Sequence, residues 1–151
     1  MLDKPLLING EWRAPAGNRS VEVRNPANGE VVATLALCET ADLDAALEAA
    51  QQGFETWRRT TVLERAKIMH KAAALVRERA ETMAQLMSRE QGKPIAEARG
   101  EANAAAEHIE WHAEEGRRAY GRVIPARVPG ARQVVLREPV GPVAAFTPWN
   151  F

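Results

Sequence analysis

The chain has 151 residues, 46% hydrophobic and 26% charged, which places it with folded globular domains rather than disordered tracts. Lysine plus arginine and aspartate plus glutamate each number 20, so the formal net charge is zero, which argues against a general nucleic-acid or anionic-membrane surface. The lone cysteine, Cys38, cannot close an internal disulfide, and MLDKPLLING lacks the apolar core of a secretion signal; a reducing, cytoplasmic setting is expected.

Leu6-Leu7-Ile8 and Glu11-Trp12-Arg13 flank Asn9-Gly10. That dipeptide between strand-like runs predicts a tight hairpin, because both turn positions require positive φ. Ala14–Arg19 reads as a loop. Ser20–Arg24 alternates Val21 and Val23 with polar residues and reads as a half-exposed strand. Asn25-Pro26-Ala27-Asn28-Gly29 is a dense turn, and Val31–Cys38 reads as a further strand. The start of the chain is therefore expected to be an antiparallel β layer.

From Thr40 the period changes. Leu43, Leu47, Ala50, Phe54 and Trp57 recur at helical spacing, with Thr40 as the expected cap. Thr61-Val62-Leu63-Glu64 has the form of a capping box opening a second helix, whose apolar face is predicted to include Ile68, Ala72, Leu75 and Val76. The pattern resumes after Arg79 and stops at Gly92-Lys93-Pro94. A long alanine-rich helix then runs to about Tyr120, with Ala98, Ala102, Ala105 and Ile109 as its buried stripe. Gly121–Gly130 reads as an irregular loop, Gln133–Arg137 as a strand, and Val143–Phe146 as a last, buried strand.

His108 and His112 share a helix face, but no third ligand accompanies them and His108 is followed by Ile109. They are read as helix surface, with no metal site. Cys38 has Glu39 beside it and is read as a buried structural cysteine rather than a nucleophile. Neither a dinucleotide-binding glycine fingerprint nor a P-loop occurs. The remaining candidate is Pro148-Trp149-Asn150, at the expected carboxyl end of the last strand, where open α/β sheets bind ligands. It is either an aromatic turn with a structural amide or an amide aimed at a developing oxyanion. The last strand stops at its most chemical residues, which suggests the front part of a larger enzyme.

Several motifs occur in an order that resembles the N-terminal part of the NAD(P)-dependent aldehyde dehydrogenase superfamily. They are Leu7-Ile8-Asn9-Gly10-Glu11-Trp12, Asn25–Gly29, Glu90-Gln91-Gly92-Lys93-Pro94, and Glu138-Pro139-Val140-Gly141 followed by Thr147-Pro148-Trp149-Asn150-Phe151. Glu97-Ala98-Arg99-Gly100-Glu101, Ile109-Glu110-Trp111 and Glu114-Glu115-Gly116-Arg117 are most similar to succinate-semialdehyde dehydrogenases, with glutarate and other semialdehyde enzymes as alternatives.

The resemblance implies an α/β fold built as the N-terminal part of the aldehyde dehydrogenase fold: a β layer, a helical layer, an oligomerisation hairpin and the first strand of a Rossmann-like sheet. Residues 1–120 would belong to the cofactor-binding domain, 121–141 to the hairpin, and 142–151 to a return into the cofactor domain. It implies NAD or NADP as cofactor, an aldehyde substrate, neither nucleic acid nor membrane as partner, and a homo-oligomer, dimer or tetramer, at full length. Asn150 would stabilise the oxyanion. Phe146, Thr147, Pro148, Trp149 and Asn150 would line the cofactor, and Phe151 the substrate tunnel. The family's cysteine nucleophile and general-base glutamate match nothing in these residues, so the chain alone is expected to be inactive. The rival expectation is a non-catalytic binding or interaction module derived from the same fold.

Overall fold

The computed structural model describes residues 2–148. Strands β1 (Leu2–Lys4), β2 (Leu6–Ile8), β3 (Glu11–Arg13), β4 (Ser20–Arg24) and β5 (Val31–Ala36) come first. Four helices follow: α1 (Thr40–Arg59), α2 (Val62–Glu78), α3 (Ala80–Gln91) and α4 (Ile95–Arg117). The hairpin β6 (Arg122–Ile124) and β7 (Gln133–Val135) comes last. The α/β class is as expected.

The β2–β3 hairpin forms where Asn9-Gly10 predicts it. Asn9 and Gly10 both have positive φ, 54° and 78°, and Leu7 pairs with Trp12. The second sheet has the order β1-β5-β4 and is mixed, which corrects the expectation of a wholly antiparallel layer. The tight turn Asn25–Gly29 makes β4 and β5 antiparallel, whereas β1 reaches the other edge of β5 from a distance and pairs in parallel. The turn is closed by the N–H of Gly29 donating to Asn25 O at 2.8 Å and by the Asn25 and Asn28 side chains accepting from Ala27 and Glu30. β5 stops at Ala36, two residues before Cys38, which is exposed rather than buried.

Helix α1 is capped by Glu39, not Thr40, which is already helical. Asp42 decides this. Its carboxylate accepts the Glu39 backbone N–H at 3.0 Å, so the reciprocal half of a capping box fixes the start one residue earlier. Thr61 caps α2 as predicted, accepting from the Glu64 N–H at 3.3 Å, while the Glu64 carboxylate turns to Lys67. The buried side of α2 is Ala66 and Ala73, not the Ile68–Ala72–Leu75 face, which is exposed; Val76 is half-buried. In α4 the buried residues are Ala98, Ala102, Ala106 and Ala113. Ala105 and Ile109 sit at the margin, and the helix ends at Arg117 rather than near Tyr120.

Packing explains these shifts. Helix α4 lies between α2 and α3, and alanines meet where backbones approach most closely. An ion pair, Arg77 with Glu110, and a hydrogen bond between His70 Nε2 and Glu114 Oε1, 2.8 Å apart, flank the seam. Position 70 matches 114 and 77 matches 110, so α2 and α4 run antiparallel. A larger apolar side chain is therefore not what sets the buried face here. The closest approach is, and only alanine fits it.

Gly92 caps α3 in the left-handed conformation (φ 85°), as the sequence suggests. A Cβ there would also lie 2.9 Å from Pro26 Cγ, so this glycine lets the β4–β5 turn dock on the end of α3. Gly121 has a different reason. A Cβ would lie 2.3 Å from Val135 O, so only glycine lets the chain leaving α4 cross β7. Within the loop expected at 121–130, residues 122–124 form β6, antiparallel to β7 with Val123 opposite Val134. β7 ends at Val135, earlier than expected.

No strand forms over Val143–Phe146: residues 136–148 carry no regular secondary structure. A buried parallel strand needs neighbours on both edges, and none is present among the described residues to hydrogen-bond it. The apolar run is real in sequence; no strand among the described residues pairs with it.

Candidate functional site

Residues 137–139 leave the β6–β7 hairpin and pass over the junction of α1 and α2. There Arg137, Glu138 and Pro139 face Phe54, Trp57 and Arg65 across a cleft of about 410 Å³. Arg65 Nη1 donates to Trp57 O at 3.3 Å, tying the first turns of α2 to the end of α1. The Arg58 guanidinium lies 5.2 Å from the centre of the Phe54 ring, a cation–π contact. This cleft receives the segment that leads to the predicted site.

The predicted site residues themselves are not gathered. Phe146 is 93% exposed, and Thr147 and Pro148 are exposed beside it. No hydrogen bond among the described residues reaches them, so the Thr147 hydroxyl and the surrounding backbone remain available. Trp149, Asn150 and Phe151 lie outside the described residues. Among the described residues, no group of three or more His, Cys, Asp or Glu side chains could hold a metal ion. His108 and His112 are both exposed on α4.

Two buried charges escaped the sequence reading. Asp42 is fully buried; it accepts the Ala16 N–H at 3.0 Å, the Glu39 N–H at 3.0 Å, and Arg13 Nη2 at 3.3 Å. The Glu39 and Ala16 backbone N–H groups, then Arg13, hold its carboxyl below the usual range against the opposing effect of burial. Lys93 is buried and pairs with Glu101, while the Ser88 hydroxyl donates to Lys93 O at 2.7 Å. The signal for Asp42 was its place three residues after Glu39 at a helix start. Lys93 left only a motif, Gly-Lys-Pro, whose lysine reads as surface until its partner on α4 is known. Both clusters are anchors between elements. A second cavity, of about 360 Å³, opens between the 14–19 loop and β4–β5; it holds none of the predicted site residues.

The remaining perturbed carboxyls brace helices. Arg99 and then Gln85 draw the Glu81 carboxyl down to about 2, through bonds of 2.7 and 2.9 Å to the two arginine nitrogens. Its ordinary value is 4.5. A carboxyl depressed in the folded state adds stability above its unfolded value and loses it as pH falls toward the folded one. The Glu81 contribution is therefore complete above about pH 4.5 and fades toward pH 2. Glu81→Gln should flatten the fall of melting temperature across that window, as should high salt, because both partners are half-exposed. Thermal melts followed by circular dichroism check this; an unaltered slope would remove the pair from the acid response.

Residues 12–151 match the model of the aldehyde dehydrogenase family. A 4-(hydroxymethyl)benzenesulfonate dehydrogenase of Comamonas testosteroni is 51% identical over 146 residues, covering 97% of this chain and 31% of that protein. The NADP(+) succinate-semialdehyde dehydrogenase of Escherichia coli is 43% identical over 145 residues, covering 96% and 30%. The crystal structure of succinate-semialdehyde dehydrogenase from Burkholderia pseudomallei superposes with a TM-score of 0.88 at 41% identity, over 93% of this chain and 29% of that one. The chain thus spans less than a third of the length of these relatives, and the architecture above is the N-terminal part of theirs. On the family match and the shared fold together, the chain belongs to the aldehyde dehydrogenase family.

Proposed function

We propose that this chain is the N-terminal part of an NAD(P)-dependent enzyme that oxidises an aldehyde carrying a distal anionic group to the carboxylate. The first candidate is a semialdehyde such as succinate semialdehyde. The observation that carries the substrate class is the pairing of relatives. One is named for a sulfonate and another for a carboxylate semialdehyde, and both names place an anion away from the carbon to be oxidised. The setting is taken as cytoplasmic and the full-length protein as a homo-oligomer, dimer or tetramer, with residues 121–141 as its arm.

By resemblance, the reaction runs through a cysteine thiohemiacetal and thioester, with a glutamate activating the hydrolytic water. NAD or NADP, when bound, supplies the hydride acceptor. This chain's share of that chemistry is orientation and charge stabilisation. The Asn150 amide would donate to the oxyanion. Phe146, Thr147 and Pro148 would set one wall of the cofactor site, and Phe151 would border the substrate. Cys38 does not match the family's nucleophile motif and is not given that role. The 151-residue chain should therefore give no reduced nicotinamide from succinate semialdehyde with either NAD or NADP. Sustained formation of reduced cofactor by the purified chain would sink the reading that essential groups lie elsewhere.

A further inference from the structure

The cavity of about 360 Å³ between the 14–19 loop and β4–β5 has walls fixed by the chain's own contacts. One wall is the loop, which is tied down at three places. The Ala16 N–H donates to both carboxylate oxygens of Asp42, at 3.1 and 3.0 Å. Arg19 Nε donates to Glu39 Oε1 at 2.8 Å, and the Leu37 N–H donates to Arg19 O at 3.0 Å. Another wall is β5, which contributes Thr34 and Ala36. The lining divides by chemistry: Pro5, Pro15 and Ala36 are apolar, whereas Arg19, Ser20 and Thr34 are polar. Among the described residues, Arg19 is the one charged side chain of the lining, and no acid joins it. Its contact with Glu39 uses only Nε, and its two Nη groups have no partner among the described residues.

We propose that this cavity binds a small organic monoanion, an apolar ring or short chain ending in one carboxylate. Its volume is at the low end for ligand pockets, which suits a molecule of a single ring. A guanidinium with free Nη groups can fork a carboxylate through two parallel N–H bonds. Glu39 already orients that guanidinium, so little side-chain freedom is lost when the anion arrives. The prolines offer a rigid apolar surface that has no rotamer freedom to lose. Other ligand classes fit less well. A polyphosphate calls for several cations, and Arg19 stands alone. A metal ion calls for acid, His or Cys ligands, and none lines the cavity. A neutral apolar molecule would cover the Arg19 charge without pairing it, which costs binding energy. The proposal goes beyond the dehydrogenase reading and does not rest on it.

The test is a titration of the isotope-labelled chain with sodium benzoate, followed by the shifts of its backbone amides. Benzyl alcohol supplies the ring without the charge, and acetate supplies the charge without the ring. Benzoate should shift the Gly17, Arg19, Thr34 and Ala36 amides saturably, with a Kd of roughly millimolar order for so small a ligand. Benzyl alcohol and acetate should each bind at least about tenfold more weakly. Arg19→Gln should weaken benzoate by at least about tenfold, because it removes the charged fork. The Arg19–Glu39 pair is exposed, so its loss should leave the fold intact. Ala36→Leu keeps Arg19 and fills the cavity; it should abolish the benzoate shifts while amides away from the cavity keep their positions. The absence of any saturable shift with benzoate would overturn the proposal. So would equal affinity for benzyl alcohol, which would make the cavity a plain apolar cleft, or for acetate, which would leave only a surface anion contact. Benzoate shifts that survive Ala36→Leu would place the ligand elsewhere and refute it as well.

Discussion

Replacing Ala106 by leucine should destabilise the chain by about 1–3 kcal/mol or more, the usual cost of forcing bulk into a packed seam. For a chain of this size that is roughly 2–4 °C of melting temperature per kcal/mol. Ala106 has no exposed surface, and neither has Ala73 on α2. The extra isopropyl group has nowhere to go except between two backbones, so the helices must separate. Separation would also strain the Arg77–Glu110 and His70–Glu114 pairs, which bridge the same two helices. Ala105→Leu, one residue away at the margin of the seam, is the control and should cost much less. Equal melting temperatures for the two variants would show that the seam is not closely packed.

The largest functional effect is expected at Asn150. In a full-length protein containing this segment, Asn150→Ala should lower kcat by about 10²–10³, the scale measured when a single oxyanion donor is removed. Cofactor affinity should change little, because the lost amide acts on charge that develops only in the reaction. Steady-state kinetics with succinate semialdehyde, together with cofactor titration by fluorescence, separates the two. Unchanged turnover would take Asn150 out of the oxyanion role. Matched losses in turnover and cofactor binding would make it a structural amide, the plainer of the two readings its sequence context allows.

Much of the fold was legible because local chemistry and tertiary structure agree. Asn9-Gly10 demanded a turn and made one; Thr61 capped α2; Gly92 ended α3. The failures share a cause. Periodicity finds the apolar side of a helix, but whether that side is covered depends on what is packed against it. For α1 and α2 most of the predicted stripe is exposed, only Phe54 and Val76 being half-buried, and in α2 the buried contacts are made by alanines, whose weak hydrophobic signal is outranked by Ile68 and Leu75. The strand at Val143–Phe146 failed for the same reason: its pattern specifies a partner that these residues do not contain. β6 was hidden by its surroundings. Pro125 and Pro129 make the region read as loop, and only the pairing with β7 defines the strand.

The site was legible in a different way. Its residues were named from motif order rather than geometry, since Phe146, Thr147 and Pro148 lie on an extended, uncovered segment that brings no catalytic groups together. The two buried charges were invisible for the opposite reason. Asp42 and Lys93 are defined by distant partners, Ala16 and Arg13 for one and Glu101 for the other, and single-sequence patterns carry no such pairing.

The Asp42 cluster also bears on how the chain comes apart. One carboxylate holds the amide of a surface loop residue, Ala16, and the amide that begins α1. The loop therefore has no independent opening: releasing Ala16 leaves a buried carboxylate short of a donor, and freeing that carboxylate uncaps the helix. Residues 14–19, which by composition should be among the most mobile in the chain, are bound into the same cooperative unit as the first turn of α1. Amide protons at Ala16 and Glu39 should then exchange with solvent as one event, although more than twenty residues separate them in sequence.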